Sequence, residues 1–203
     1  MAELNSFLML EAVFVLIAMF LGFKLVVILY PVGYGFWILG FGILLVLAIL
    51  LILPGMYAMI TGAPFVLTTK KRLEAMIKLG NFKKTDVVYD LGCGEGRIIR
   101  AVAKCGVAKA VGYEFSFFTY LLAKAKTFLK GGNEKIYFRN FWKGDYGKAT
   151  VIVCFLLPKP MARIKKEIWP KLKKGTKLIS NDFKIPGVKP EKELHKVFLY
   201  IKK

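Results

Sequence analysis

Two long apolar stretches open the chain. Residues 7–30 and 36–60 are 24 and 25 residues long, and Glu11 and Lys24 are their charged side chains. Since a helix needs about 20 residues to cross the hydrocarbon core of a bilayer, each stretch is long enough to span it. Between them, the segment PVGYG (31–35) has the composition of a turn. The pattern predicts a transmembrane helical hairpin over residues 1–62, with spans at about 7–30 and 36–60.

The charges that follow the second stretch predict the orientation of this hairpin. Lys70, Lys71, Arg72 and Lys78 lie within about 20 residues of its end, and basic flanks of this kind stay in the cytoplasm. A cleaved signal peptide would have a basic start, an apolar run of about 7–15 residues and a small-residue cleavage site, and the sequence has none of these. We therefore expect a membrane location, with residues 63–203 on the cytoplasmic side.

Short apolar runs alternate with helical patterns through residues 63–203. The predicted strands cover 86–91, 109–115, 135–140, 150–157, 176–183 and 196–202, and the predicted helices cover 97–105, 116–130 and 161–172, after a short helix behind Thr68 and Thr69. Strands alternating with helices favour an α/β, Rossmann-like fold, a mostly parallel sheet with helices on both faces. Ligands of such sheets bind at the carboxyl ends of the strands.

A glycine-rich loop follows the first of these strands. The run Asp90-Leu91-Gly92-Cys93-Gly94-Glu95-Gly96 lets the backbone approach a ligand closely. It differs from the dinucleotide fingerprint because its third glycine comes one residue early. The carboxylates of Asp90 and Glu95 would also repel a pyrophosphate. The loop therefore indicates a nucleotide-like cofactor without phosphate groups.

S-adenosylmethionine meets that requirement, because it carries a sulfonium, an ammonium and one carboxylate. Glu114 stands twenty residues after Gly94, at the end of the second strand, where a carboxylate is placed to accept hydrogen bonds from both ribose hydroxyls. After the third strand, an amide and an aromatic ring are available to bind and stack on adenine. The predicted cofactor contacts are Asp90, Gly92, Gly94, Glu95, Gly96, Glu114, Asn140 and Phe141.

Several motifs together resemble the class I S-adenosylmethionine-dependent methyltransferases over residues 64–203. They are APFVLTT (63–69), DVVYDLGCGEGRI (86–98), GYEF (112–115), NFW (140–142), FLLPKPM (155–161) and GTKLISNDFKIPG (175–187). Within that class they are similar to a subfamily of small archaeal protein-lysine methyltransferases and membrane-anchored mitochondrial enzymes that methylate lysines of the ATP synthase c subunit and the adenine nucleotide translocase. The resemblance implies that the segment around Phe65 and Thr68 closes over the cofactor, which adds Thr68 to the predicted contacts.

The end of the fourth strand bears on the methyl acceptor. Cys154 to Pro158 lack the N/D-P-P-Y/F pattern that holds the planar nitrogen of a base, and Cys154 lacks the Pro-Cys or Thr-Cys setting of a cytosine C5 nucleophile. A lysine amine needs only apolar walls near a sulfonium, which lower its pKa from about 10.4. We predict an acceptor channel for a protein lysine; the alternative is methylation of a lipid or another small molecule at the membrane. The channel candidates are Phe155, Leu156, Trp142, Phe141 and Phe183, with Asp182 or Asp145 as base or substrate anchor.

Charge and cysteine content bear on the partners and on metal binding. After residue 60 the chain holds 31 basic and 11 acidic residues, a net charge of +20. Anionic lipid is the expected partner of this surface, a generally Lys-rich proteome is the open alternative, and nucleic acid is disfavoured because no RNA-binding motif accompanies the charge. Three cysteines without a CxxC pair, and a single histidine, predict no metal site.

Overall fold

A computed structural model describes residues 15–25, 34–61 and 68–203, with side chains for 15–25, 35–50 and 68–203. The chain divides into two compact units, Met1–Tyr57 and Ala58–Lys203. The predicted domain boundary between residues 62 and 63 lies outside the described residues, so it stays a prediction.

The described residues of the N-terminal unit form two helices, the second of which continues past Tyr57. Residues 15–25 form α1, and α2 spans Tyr34–Thr61. A Cβ atom added to Gly22 would lie 3.1 Å from the Leu44 side chain, so glycine allows α1 and α2 to pack closely there. Within the described residues, no helix is both long and apolar enough to cross a membrane. Parts of both predicted spans and the predicted turn at Pro31 and Gly33 lie outside those residues.

The C-terminal unit has the predicted α/β, Rossmann-like architecture. Its helices are α3 (Lys70–Gly80), α4 (Arg97–Ala103), α5 (Phe117–Leu129) and α6 (Pro158–Glu167), and its strands are β1 (Val87–Leu91), β2 (Lys109–Glu114), β3 (Lys135–Phe138), β4 (Val151–Cys154), β5 (Lys177–Asn181), β6 (Lys192–Leu194) and β7 (Val197–Ile201). The sheet order is β3-β2-β1-β4-β5-β7-β6. β1 to β5 are parallel and β7 runs antiparallel to β5 and β6. The carboxyl ends of the parallel strands therefore meet at one edge.

Alternating side chains of the central strands build a core on each face of the sheet. In β4, Ile152 packs on the face that α6 covers, whereas Val151 and Val153 pack on the face of α3, α4 and α5. This two-residue period follows from strand geometry. It explains why the central strands are apolar throughout: both faces are covered.

The predicted fourth strand and the helix after it both need correction. The sequence predicts the strand over 150–157, but β4 ends at Cys154, and the helix predicted over 161–172 begins at Pro158 and ends at Glu167. Proline is favoured at the first helical position because its missing N–H would be unpaired there anyway. A 3₁₀ turn at Trp169–Lys171 replaces the last predicted turn of helix.

The sequence did not predict β6. Leu194 pairs with Val197, so β6 and β7 form a hairpin whose two-residue loop is His195-Lys196. Both loop residues have positive φ angles, 51° and 62°, as a type I′ turn requires. Asn-Gly is the usual signal for such a turn, and its absence here concealed the hairpin.

Candidate active site

The glycine loop joins β1 to α4 at the carboxyl edge of the sheet. Its backbone is fixed to β2 by two hydrogen bonds: the N–H groups of Gly92 and Cys93 both donate to the Tyr113 carbonyl, at 3.0 and 2.9 Å. Gly92 has a φ of +74°, and a Cβ atom there would lie 3.5 Å from Leu156 and 3.9 Å from Phe141. The loop, the end of β4 and the segment after β3 thus converge at Gly92.

Glu114, the last residue of β2, is hydrogen-bonded to this loop. One carboxylate oxygen accepts the Gly94 N–H at 2.9 Å, and the other accepts the N–H groups of Phe115 and Ser116 at 2.9 and 2.8 Å. Burial raises the pKa of Glu114, and these hydrogen bonds oppose the rise. A carboxylate has about four acceptor positions, and three are used here. The predicted contact to both ribose hydroxyls therefore requires one backbone donor to give way.

Asp90 is fully buried at the end of β1. In the described part of the chain, neither of its carboxylate oxygens has a hydrogen-bond partner within normal geometry. Burial raises its pKa to about 8, the nearby charge of Glu114 adds to the rise, and the Ile99 backbone opposes it. An isolated buried carboxylate is costly. A cation bound at this edge of the sheet would remove that cost, so Asp90 fits the ammonium or sulfonium of S-adenosylmethionine.

The structure gives Glu95 and Gly96 roles within the protein. The Glu95 carboxylate forms an ion pair with Lys126 of α5, and its carbonyl accepts a hydrogen bond from Arg100. Gly96 is the N-cap of α4 with a φ of +80°. Lys126 thus occupies the Glu95 carboxylate in the cofactor-free protein, and the cofactor contacts of Glu95 and Gly96 stay predictions.

The segment after β3 places an amide and two aromatic rings beside the loop. Asn140 caps a 3₁₀ turn, Phe141–Lys143, by accepting the Trp142 N–H at 3.0 Å. The rings of Phe141 and Trp142 lie 4.5 Å apart, and the Arg163 guanidinium stands 4.1 Å from the Trp142 ring centroid. Phe141 is therefore placed to contact a ligand at Gly92, whereas Trp142 is sandwiched between Phe141 and α6.

The predicted acceptor channel divides between the two faces of the sheet. Leu156 packs with Phe141, and Trp142 and Phe183 border the same apolar cluster. Phe155 borders the cluster on the opposite face. Consecutive residues of an extended chain point in opposite directions, so Phe155 and Leu156 line different walls. Leu156, Phe141, Trp142 and Phe183 remain together.

Asp182 follows β5 and forms an ion pair with Arg72 of α3 at 3.0 Å. Its carboxylate is therefore engaged, which argues against the predicted role as a general base. Asp145, the other predicted aspartate, accepts the N–H of Gly147 at 2.9 Å.

Thr68 and Asn181 meet at the end of β5. Thr68 is buried, and its hydroxyl accepts a hydrogen bond from the Asn181 amide at 3.4 Å. The side-chain amide oxygen of Asn181, Oδ1, is buried without a hydrogen-bond partner among the described residues. The sequence analysis missed Asn181, although a polar residue that ends an apolar strand at the ligand edge is a usable signal.

Comparison with known proteins decides the family. Residues 90–192 match the family model for the ANTKMT methyltransferase domain. The protein-lysine N-methyltransferase of Saccharolobus islandicus (strain REY15A) is 36% identical over 149 residues, which cover 68% of this chain and 92% of that protein. The chain belongs to this family of S-adenosylmethionine-dependent methyltransferases.

Two further matches show how the family relates to longer and more distant proteins. A human lysine N-methyltransferase named for the c subunit of ATP synthase is 30% identical over 130 residues, 63% of this chain and 55% of that protein. The chain thus spans about half the length of that relative. A Salinibacter ruber RNA methyltransferase, solved with S-adenosyl-L-homocysteine, superposes with a TM-score of 0.63 at 28% identity, over 68% of this chain and 94% of that one.

Family membership identifies a cationic cofactor whose charge fits the buried carboxylate of Asp90. The predicted cofactor, S-adenosylmethionine, is the cofactor of the family, and its cationic groups suit the buried Asp90. The assignment of Asp90, Gly92, Gly94, Glu114, Asn140, Phe141 and Thr68 to individual cofactor atoms stays a prediction.

Proposed function

We propose that the protein transfers a methyl group from S-adenosylmethionine to the side-chain amine of a lysine in a protein substrate. The apolar segment that follows β4 carries this proposal: Leu156, 2% exposed, packs in one cluster with Phe141 beside Gly92 of the glycine loop. The 36% identical relative, named as a protein-lysine N-methyltransferase, supports the same acceptor.

Apolar walls suit lysine because the amine must lose its proton before it can accept a methyl group. When bound, S-adenosylmethionine supplies an electrophilic methyl group on a positively charged sulfur. Burial beside Leu156 and Phe141 disfavours the charged ammonium and lowers the lysine pKa. Asp182 is held by Arg72, so we assign the proton to water rather than to a protein base.

A covalent route through Cys154 is disfavoured. Burial raises the pKa of the Cys154 thiol far above its usual range, and its sulfur lies against Met161. The thiolate is the reactive form of cysteine. The structure therefore supports direct transfer to the acceptor nitrogen.

We also propose that residues 1–62 anchor the methyltransferase domain to the cytoplasmic side of a membrane. Two apolar stretches of sufficient length and the basic flank Lys70–Arg72 support the proposal. Large apolar side chains such as Leu16, Phe23, Phe36 and Phe41 are more than half exposed on α1 and α2, which suits an apolar environment.

Alkaline carbonate extraction of membranes that contain the full chain tests the anchor. We expect the protein to stay in the membrane pellet, because no salt or pH change releases a segment buried in hydrocarbon. Protease added outside sealed cells is expected to leave residues 68–203 intact. Release by carbonate would contradict the anchor, and digestion from outside would contradict the orientation.

The acceptor class is tested with detergent-solubilised full chain, labelled S-adenosylmethionine and native membranes, followed by separation of protein, lipid and RNA. We expect the label in protein. The Asp90→Ala variant, expected to lose cofactor binding, is the control for background and for automethylation of the chain's own lysines. Label confined to lipid or to RNA would overturn the lysine proposal.

A further inference from the structure

Helix α5 has two apolar sides, and the one with the larger side chains is exposed on the surface. Its inner side is small: Ala123 is its one fully buried side chain among the described residues, and Thr127 is tied to the buried Glu134 by a 2.7 Å hydrogen bond. The outer side carries Phe117, Phe118, Leu121, Leu122, Phe128 and Leu129, of which Phe128 is 86% exposed and Leu129 is 78% exposed. Their spacing of three, four and seven residues forms a single stripe along the helix.

Neighbouring side chains extend this stripe across the sheet edge. Phe138 of β3 stacks on Phe115 with ring centroids 5.7 Å apart and meets Phe117 edge-on at 5.8 Å. Phe138 is about half exposed. We call this surface, the outer side of α5 with Phe115 and Phe138, the α5 face. Soluble monomers rarely expose so many large apolar side chains together, and such patches mark interaction sites.

Basic residues border the α5 face. Lys124 and Lys130 are exposed on α5 and at its C-terminal end, and the sequence from 115 to 133 contains no acidic residue. The nearby Glu134 is buried, and Glu95 is neutralised by Lys126. A partner with apolar and anionic groups side by side is therefore complementary to this surface.

We propose that the α5 face docks on the surface of a bilayer that contains anionic lipids. Aromatic and leucine side chains on one side of a helix with lysines at its borders are the pattern of interfacial membrane binding, and lysines near an anionic surface add attraction. A second copy of the chain would be the other apolar partner. Two facing copies would bring like-charged rims together, which disfavours that arrangement.

Docking by this face would place the cofactor edge of the sheet at the membrane. α5 begins directly after Glu114 and Ser116, and Phe115 and Phe138 lie at the carboxyl ends of β2 and β3. This inference rests on the proposed membrane location. It adds that the catalytic unit itself contacts the bilayer, so that lysines close to the membrane surface are the accessible substrates.

Fluorescence quenching on the full chain tests the proposal. Cys93 and Cys154 are buried, so a Cys105→Ser background permits one fluorophore at Phe128→Cys on the α5 face, or at the exposed Lys166→Cys on α6 across the sheet. In vesicles with about one third anionic lipid and nitroxide-labelled acyl chains, we expect at least threefold stronger quenching at position 128 than at position 166.

A matched charge pair isolates the electrostatic contribution. Lys124→Glu and Lys166→Glu change the net charge equally, but only the first lies at the α5 face. With the label at 128, the first is expected to lower quenching at least threefold and the second to leave it unchanged. High salt should act as the first variant does.

Three results would overturn the docking surface, each in a different way. Equal quenching at 128 and 166 in vesicles that float with the protein would leave the anchor standing and remove the docking. A protein that does not float with vesicles would remove the membrane location as well. A label at 128 that is shielded but unquenched, in particles of twice the monomer mass, would assign the α5 face to a second copy. None of these results bears on lysine as acceptor, which the separated products test.

Discussion

Packing alone does not explain why an aspartate stands at position 90. Asp90 lies in a strand covered on both faces, where a valine would bury well, and its carboxylate has no hydrogen bond of normal geometry in the described part of the chain. Sequence alone predicted the conflict between an apolar strand and a carboxylate. It could not predict that Glu114 would be occupied by backbone donors or Glu95 by Lys126, because those contacts depend on where α5 packs.

Replacing Asp90 by asparagine should stabilise the cofactor-free protein at high pH. With a pKa of about 8 in the folded state and about 4 when unfolded, the carboxyl keeps its proton longer in the folded protein. Rising pH therefore favours unfolding between about 4 and 8, by up to roughly 1.4 kcal/mol per pH unit. Denaturant unfolding across this range should show a gap between Asp90→Asn and wild type that grows with pH.

The control is the same comparison below about pH 3, where the Asp90 carboxyl is neutral in both the folded and the unfolded protein and the gap should close. Parallel stability curves for the two proteins across the whole range would show that Asp90 is not perturbed by burial.

Glu114→Ala is expected to weaken S-adenosylmethionine binding at least tenfold, about 1.4 kcal/mol. The change removes a charged acceptor and also frees the backbone donors of Gly94, Phe115 and Ser116 that shape the loop. Calorimetry measures the affinity. Glu74→Ala, at an exposed position of α3, is the matched control, and an unchanged affinity in Glu114→Ala would remove this residue from the site.

At the scale of elements, the spacing of apolar residues along the sequence identified every parallel strand and most helices. It succeeded because strands buried on both faces read as continuous apolar runs. It failed at β6, which is short, polar and exposed on its outer side, and at the start of α6, where Pro158 and Pro160 resemble a loop but begin a helix. The sequence predicted that Leu156, Phe141 and Gly92 lie at the same edge of the sheet, but it did not predict their contact.

The hairpin between β6 and β7 offers a test of this interpretation. His195 and Lys196 both adopt left-handed angles, which cost a non-glycine residue about 1 kcal/mol or more. The double change His195→Asn with Lys196→Gly supplies the preferred turn sequence and should raise the free energy of unfolding by about 1 kcal/mol. Lys189→Gly in the preceding loop is the control. A loss of stability in the double variant would contradict the turn.

At the scale of the whole molecule, the proposed anchor and the proposed docking surface are two independent reasons to test whether this enzyme works beside a membrane. The unit Ala58–Lys203 carries the cofactor edge, the apolar segment that follows β4 and the α5 face. The apolar stretches at 7–30 and 36–60 precede it. Sequence predicted the fold class and the cofactor; the acceptor geometry depends on how separate strand ends meet, which no local pattern encodes.

The most direct test of the proposed activity uses S-adenosylmethionine with a deuterated methyl group, the full chain and native membranes, and locates the heavy methyl group by peptide fragmentation. We predict heavy methyl groups on the side-chain nitrogen of lysines in one or a few proteins, and none with the Asp90→Ala variant. Heavy methyl groups on another side chain, in lipid or in RNA, with unmodified lysines throughout, would contradict this prediction.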